Sequence, residues 1–241
     1  MALPKNLLTI YGRNAVYEAL QDHTLKIFAL HLAKSNKPSP KLDKIIKSAK
    51  KRDIEIKYHE REKLSYISKN RKQDQGVALD IILDNFCKSE EFLHLEKFRI
   101  LALERIENPQ NLGMIIRSAA AGNIDAIIIQ KRGTASLVSP LTIKASVGTL
   151  FKIPIIYTDS LEKTLQKFER AACDIISLSL NAKESLFDAK LSEKVIFLLG
   201  NETEGISEKM AKFATKELII PMRRGVESLN VAVIAGIISF M

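Results

Sequence analysis

The chain has 241 residues, enough for one large domain or two small ones, and its 46% hydrophobic and 27% charged content is that of a soluble globular protein. No apolar run approaches the roughly 20 residues that a membrane span requires, so a membrane protein is not expected. The formal net charge is +9, and residues 34–72, with 14 Lys and Arg against 5 Asp and Glu, carry all of the excess. The opening Met1-Ala-Leu-Pro-Lys5 lacks the apolar core of a signal peptide, and Cys87 and Cys173 form neither a disulfide nor a metal-ligand pattern. A reducing, cytoplasmic location is therefore expected, with no metal.

In chain order, the first strands are predicted over Lys26–Leu32, Ile54–Tyr58 and Val77–Leu83. Between them Ser39-Pro40 starts a helix whose Leu42, Ile45, Ile46 and Ala49 form one apolar stripe, leaving Lys41, Lys44, Lys47, Lys50, Lys51 and Arg52 toward water. A shorter helix is predicted near Glu62 to Ile67, which completes a small α/β domain over residues 1–84. A lysine face is ordinarily just solvated. Concentrated on an otherwise neutral chain, it points to a polyanion, and the scarcity of aromatics favours contacts to backbone and shape over base stacking.

A polar stretch over 85–97 is expected as a linker, although Phe92, Leu93 and Leu95 suggest a short helix within it. From Phe98 to Met241 strand and helix signals alternate, with strands near 99–103, 125–130, 153–156, 173–178, 194–199 and 217–220. That alternation predicts a mostly parallel sheet covered by helices. Three polar loops leave the carboxyl ends of such strands, where open α/β sheets bind ligands. They are Glu104 to Gly113, which opens a helix carrying Arg117; Asn201 to Gly205; and the loop from Pro221 to Asn230. In the last, Ser228 is expected to cap a helix over Leu229–Phe240 whose apolar residues fall on every side, so that it should be buried all round. Capping alone would explain an isolated Ser-x-Asn. Three such loops in one chain argue for a composite site.

Familiar chemistries are missing. There is no Gly-x-Gly-x-x-Gly after a strand and no Gly-Lys-Ser/Thr phosphate loop. His23, His31, His59 and His94 all precede residue 98, which argues against a Ser-His-Asp hydrolase or a histidine metal site in the second domain. Cys173 lies in an apolar strand and reads as an inert core thiol. The chemistry falls to Asn, Arg, Glu and Ser.

Asn108-Pro-Gln-Asn-Leu-Gly-Met-Ile-Ile-Arg117, Leu199-Gly-Asn-Glu-Thr-Glu-Gly205, and Ile220-Pro-Met222 followed by Glu227-Ser-Leu-Asn-Val-Ala-Val233 resemble the three ordered motifs of the SpoU (TrmH) branch of the SPOUT RNA methyltransferases. Ile10 to Leu20 and Gln75-Gly-Val-Ala78 resemble the edges of the L30e-like substrate-binding domain of RlmB-type members, so the likeness spans nearly the whole chain. The resemblance implies methyl transfer from S-adenosylmethionine to an RNA ribose 2′-hydroxyl. It also implies a Rossmann-like sheet with a deep C-terminal trefoil knot, and a homodimer with the site at its interface.

By the same resemblance, Gly200, Ile220, Met222, Ser228 and Leu229 bind the cofactor, and Arg117 and Asn111 are catalytic, with Glu202, Ser228 and Asn230 around them. Arg117 could act as a base or as a cation that orients the hydroxyl; a free guanidinium, with a pKa above about 12, favours the second. A structural role, pairing with Glu202 or Glu227, is compatible with either, and Asn111 could be a helix cap. Arg13, Lys44, Lys47 and Lys51 are the candidate RNA contacts. The RlmB-type likeness favours a guanosine of large-subunit (23S) rRNA. A tRNA substrate, or an inactive RNA-binding or ribosome-assembly protein, stays open. Many relatives run on past the position of Phe240-Met241; only if a native tail is missing is the last helix expected to fray.

Overall fold

The computed structural model describes residues 7–23, 25–201 and 203–241. The first part of the chain runs β1 (Leu7–Tyr11), α1 (Arg13–Gln21), β2 (Lys26–Ala33), α2 (Pro40–Lys51), β3 (Glu55–His59), α3 (Arg61–Ser68) and β4 (Val77–Ile82). Its four-stranded sheet has the order β1-β4-β2-β3, antiparallel except for the β2–β3 pair. Strand β1 and helix α1 are not among the predicted elements. One face of this sheet presents Ile10, Leu30, Leu32, Leu79 and Ile81, which pack with Val16 and Leu20 of α1 and Leu42 and Ile45 of α2. The other face is covered by α3 at one end, through Leu64 against Ala33 and Ala78.

Helix α2 starts where Ser39 accepts the Leu42 N–H at 3.3 Å and Pro40 fixes the first turn. Lys44, Lys47, Lys50 and Lys51 are exposed as expected. Arg52 is not part of that face. Its guanidinium folds back to donate to the Leu20, Asp22 and Leu25 carbonyls at 2.7–3.0 Å, because the end of α1 leaves those groups without helical partners.

The rest of the chain runs β5 (Phe86–Cys87), α4 (Glu90–Leu93), β6 (Phe98–Leu103), α5 (Pro109–Ala121), β7 (Ala126–Gln130), α6 (Pro140–Ser146), a 3₁₀ turn (Thr149–Phe151), β8 (Ile155–Thr158), α7 (Leu161–Arg170), β9 (Asp174–Leu178), β10 (Lys194–Leu199), α8 (Glu208–Ala211), β11 (Lys216–Leu218) and α9 (Val231–Ser239). All seven strands are parallel, in the order β11-β9-β10-β6-β7-β8-β5. Within the stretch 85–97, Phe86 and Cys87 pair with Ile155 and Ile156 as an edge strand of this sheet.

A parallel sheet must be covered on both faces. Leu101, Leu103, Ile127 and Phe197 point to the side of α5, α6 and α9, whereas Ile100, Ile128, Ile196 and Leu198 meet Phe168 of α7 and Met210 of α8. Cys173 is buried and its thiol is pushed up to about 12, mainly by burial, so it stays protonated. Among the described residues no helix is long and apolar enough to cross a membrane.

Two expectations about the last helix change. Asn230, not Ser228, is the cap: its side chain accepts the Ala232 N–H at 2.8 Å, and the helix starts at Val231. Nor is α9 buried all round, for Ala235 and Ile238 face the core while Val233 is 50% exposed. Its far end is held: Asn123 N–H donates to the Ser239 carbonyl at 2.6 Å, and the Arg99 guanidinium donates to Met241 O at 2.8 Å.

Helices α5 and α6 approach closely at Gly113, where a Cβ would meet the Thr142 carbonyl oxygen at 2.5 Å and the Ala145 Cβ at 2.6 Å. Replacing Gly113 by Ala should therefore lower unfolding free energy by about 1–3 kcal/mol through overpacking, read as a drop in the urea midpoint at unchanged m-value.

Candidate active site

A cavity of about 440 Å³ opens at the carboxyl ends of β9, β10 and β11. Its walls come from Leu178 to Leu180, Leu198 to Asn201, Thr203 to Ile206, Ile219, Ile220, Met222, Glu227 to Leu229, Val231 and Ile234. Gly200, Ile220, Met222, Ser228 and Leu229, read from sequence as one binding set, all line it. The Leu178 to Leu180 wall was not anticipated. It carries no distinctive motif, and only its place after a strand marks it.

The loop after β10 closes on itself. Asn201 and Gly205 exchange main-chain hydrogen bonds at 3.1 and 2.9 Å, and the Asn201 side chain accepts the Thr203 N–H at 2.8 Å. Gly200 is required by this closure, since a Cβ there would lie 2.2 Å from the Gly205 carbonyl carbon. The chain's own backbone thus explains that glycine, while Gly205, at φ +67, is explained by the turn. Glu202 lies outside the described residues.

The loop after β6 does not line the cavity; it buttresses the loop that does. Buried Glu104 accepts from the Ser207 N–H and Oγ–H at 2.9 and 2.6 Å. Arg105, at φ +54, pairs with Glu204 at 2.5 Å, and its carbonyl accepts from the Asn201 side chain at 3.1 Å. None of these three contacts was read from sequence, because partners about a hundred residues apart leave no local signal.

Asn108 caps α5, accepting the Gln110 and Asn111 N–H groups at 2.9 and 3.4 Å. Asn111 is not the cap. It is buried, and its side-chain oxygen accepts from Asn230 Nδ2 at 3.2 Å, tying the start of α5 to the start of α9. Arg117 is exposed on α5, and six residues place it roughly 120° round and about 9 Å along the helix from Asn111. It does not line the cavity and makes no ion pair with Glu227. Lys44, Lys47 and Lys51 lie on a different part of the chain, on α2. Arg13 is committed to structure, donating to Ser39 Oγ at 2.9 Å and the Gln75 carbonyl at 3.3 Å.

A covered parallel sheet with a cavity beyond its strand ends, walled by apolar side chains and glycine loops, defines an α/β protein that holds a small molecule there. The chain belongs to the SpoU rRNA methylase family, whose profile matches residues 99–240. A second profile, described as RNA 2′-O ribose methyltransferase substrate binding, matches residues 9–85. A TrmH-family tRNA/rRNA methyltransferase of Bacillus subtilis, YacO, is 29% identical over 237 residues, covering 96% of this chain and 93% of that protein. Among solved structures, an AdoMet-bound rRNA methyltransferase from Sinorhizobium meliloti is 25% identical with a TM-score of 0.68, covering 97% of this chain and 85% of that one. AviRb from Streptomyces viridochromogenes, a SpoU methyltransferase in complex with AdoMet, is similar in fold, with a TM-score of 0.70 at 21% identity over 97% of this chain and 88% of its own.

The double duty of Asn230 is testable. Asn230→Ala should cost about 1 kcal/mol by loss of the cap, whereas Asn230→Asp should keep the cap and lose only the Nδ2 donation to Asn111. Thermal melts of the two variants, with Asn230→Asp the more stable, would separate the two roles.

Proposed function

We propose that this RNA methyltransferase uses S-adenosylmethionine and modifies a ribose 2′-hydroxyl, at a guanosine of large-subunit (23S) rRNA. The observation that carries this reading is the cavity that gathers Gly200 from the loop after β10 and Ile220, Met222, Ser228 and Leu229 from the segment between β11 and α9. Its chemistry suits the cofactor: Leu178, Ile220, Met222 and Leu229 offer apolar surface to a purine, and Gly200 and Gly205 line it without side chains. The cofactor supplies an already activated sulfonium methyl, so the protein's task is to align the hydroxyl and help its proton leave. Alignment alone can lower a barrier by roughly 7–11 kcal/mol in favourable cases.

In this reading Asn111 and Asn230 set the loop geometry, Glu202 and Ser228 border the reacting groups, and Arg117 is a cation that holds the nearby phosphate and orients the hydroxyl. Arg117 lies one turn from Met114, which is 41% exposed, and α9 beside it leaves Val233 exposed. An apolar patch shared by two packed helices supports a homodimer through α5 and α9. Arg117, at the rim of that patch and away from its own cavity, then serves the site of the second copy. We further propose an L30e-like RNA-binding domain over 1–84 and a catalytic domain over 98–241; the stretch 85–97, expected from sequence as a linker, instead adds the edge strand β5 to the catalytic domain's sheet. In the catalytic domain, the C-terminal segment threads a deep trefoil knot.

Arg117→Ala should keep adenosylmethionine affinity within about twofold while methyl transfer falls at least about a hundredfold, by calorimetry and by tritium incorporation into rRNA. Gly200→Val should lose cofactor binding. Mixed dimers of these two inactive variants should regain activity; absence of regain would remove the shared site. Ribose-methylation maps of rRNA and tRNA, with and without the gene, decide the substrate. A lost mark in tRNA alone would overturn the rRNA assignment, and cofactor binding with no lost mark would favour an inactive RNA-binding protein.

A further inference from the structure

The face of the small sheet not covered by α1 and α2 holds a chain of polar groups that the proposed methyl transfer does not use. Thr9 Oγ1 donates to Asp80 Oδ1 at 2.6 Å, Asp80 Oδ2 lies 2.9 Å from His31 Nε2, and His31 Nδ1 lies 2.9 Å from His59 Nε2. His31 and Asp80 are buried, and the two imidazoles stack with centroids 5.1 Å apart. His59, half-buried at the end of β3, has no protein partner for Nδ1 among the described residues. A buried polar series of this kind costs stability unless every member is satisfied.

The hydrogens follow from the partners. Asp80 already accepts from Thr9, and its second oxygen requires the hydrogen of His31 on Nε2. In the uncharged pair, His31 Nδ1 is then a lone pair that accepts from His59 Nε2–H, and His59 Nδ1 is left as an outward acceptor. One proton from solvent can enter only at His59 Nδ1. The edge thereby becomes an N–H donor, and the positive charge can pass through the shared hydrogen to His31, beside Asp80. Protonation switches the outer edge from a group that repels phosphate oxygen to one that binds it.

The surroundings favour an anion. Burial first, then His31, Lys63, Lys57 and Lys34, hold His59 below the usual imidazole range, so an anion placed against its outer edge would favour the protonated form. The groups facing it are His31 and Lys34 from β2 and its end, Asp80 from β4, Glu55 and Lys57 from β3, and Glu60 and Lys63 at the start of α3. Glu60 and Glu55 are paired with Lys34 and Lys57 at the surface, at 2.7 and 3.0 Å, where such pairs contribute little. Farther along α3, Tyr66 is 84% exposed, a stacking surface of the kind single-stranded RNA uses.

We propose that His59, framed by Lys34, Lys57 and Lys63, is an RNA phosphate site whose outer edge becomes a donor by taking up one proton, with the charge supported by Asp80 through His31. This rests on the RNA-methyltransferase reading and names a contact surface apart from the α2 lysines. A bound phosphate places a negative charge beside His59 Nδ1 that favours its proton, so RNA and proton bind together and affinity rises as pH falls. Uptake of one proton can change affinity by at most about tenfold per pH unit.

The test uses the full chain and a fluorescein-labelled 20-nucleotide RNA of mixed sequence, with anisotropy titrations from pH 8 to pH 6 at fixed salt. Wild-type protein should bind about tenfold tighter at pH 6 than at pH 8. His59→Gln should flatten that dependence, Asp80→Asn should move its midpoint to lower pH, and a Lys44, Lys47 and Lys51 triple glutamine variant should weaken binding but keep the slope. Lys57→Gln, a surface change safe for folding, should weaken binding at every pH. A slope retained in His59→Gln, or affinity unchanged in Lys57→Gln, overturns the proposal and leaves the methyltransferase reading intact. Wild-type protein that binds this RNA at no pH overturns both.

Discussion

One joint organises the site: the 3.2 Å hydrogen bond from Asn230 to Asn111, which ties together the first turns of two helices that lie 119 positions apart in the chain. Asn230 spends its oxygen on the start of its own helix and its amide on the other. Both helices start at the same end of the sheet, so the joint fixes the Glu227–Leu229 segment against the cavity. The Glu104–Ser207 and Arg105–Glu204 contacts do the same for the neighbouring wall. A binding site made of loops can be precise only if other loops support it.

That division of labour explains which features could be read from the residues and which could not. The cavity-lining set was readable through the motifs that carry the family resemblance: Gly200 stands directly after β10, Ile220 and Met222 shortly after β11, and Ser228 and Leu229 just before the last helix. The cap of α9 was misplaced by two residues because Ser and Asn cap equally well, and only the backbone decides between Ser228 and Asn230. Strand β5 has two residues and carries no periodicity at all. The exposure of Val233 was hidden for a different reason: an all-apolar helix looks the same whether its outer side meets the core or is left for a partner.

The charge excess was also read correctly in amount and incompletely in place. Helix α2 does present a row of lysines, yet Arg52 serves three carbonyls at and just beyond the end of α1. Several cations of the same segment lie instead around β3 and α3, beside the buried Asp80–His31 pair. Composition gives a net sum over a segment; only the sheet's alternation of faces decides which charges share a surface.

The strand order has a consequence for how the molecule is made. The central pairing of the large sheet joins Lys194 to Phe98 and Leu199 to Leu103, so its middle strands are roughly a hundred residues apart in the chain. The two halves of the sheet meet only through that long-range contact, and closing so large a loop costs entropy before any burial compensates. The small sheet, the β6–β7–β8 set and the β9–β10–β11 set can each form from nearer neighbours. Refolding from denaturant should therefore be slow and uneven, with the contacts that cross between the two halves, Asn230 to Asn111 and Ser207 to Glu104, among the last to form.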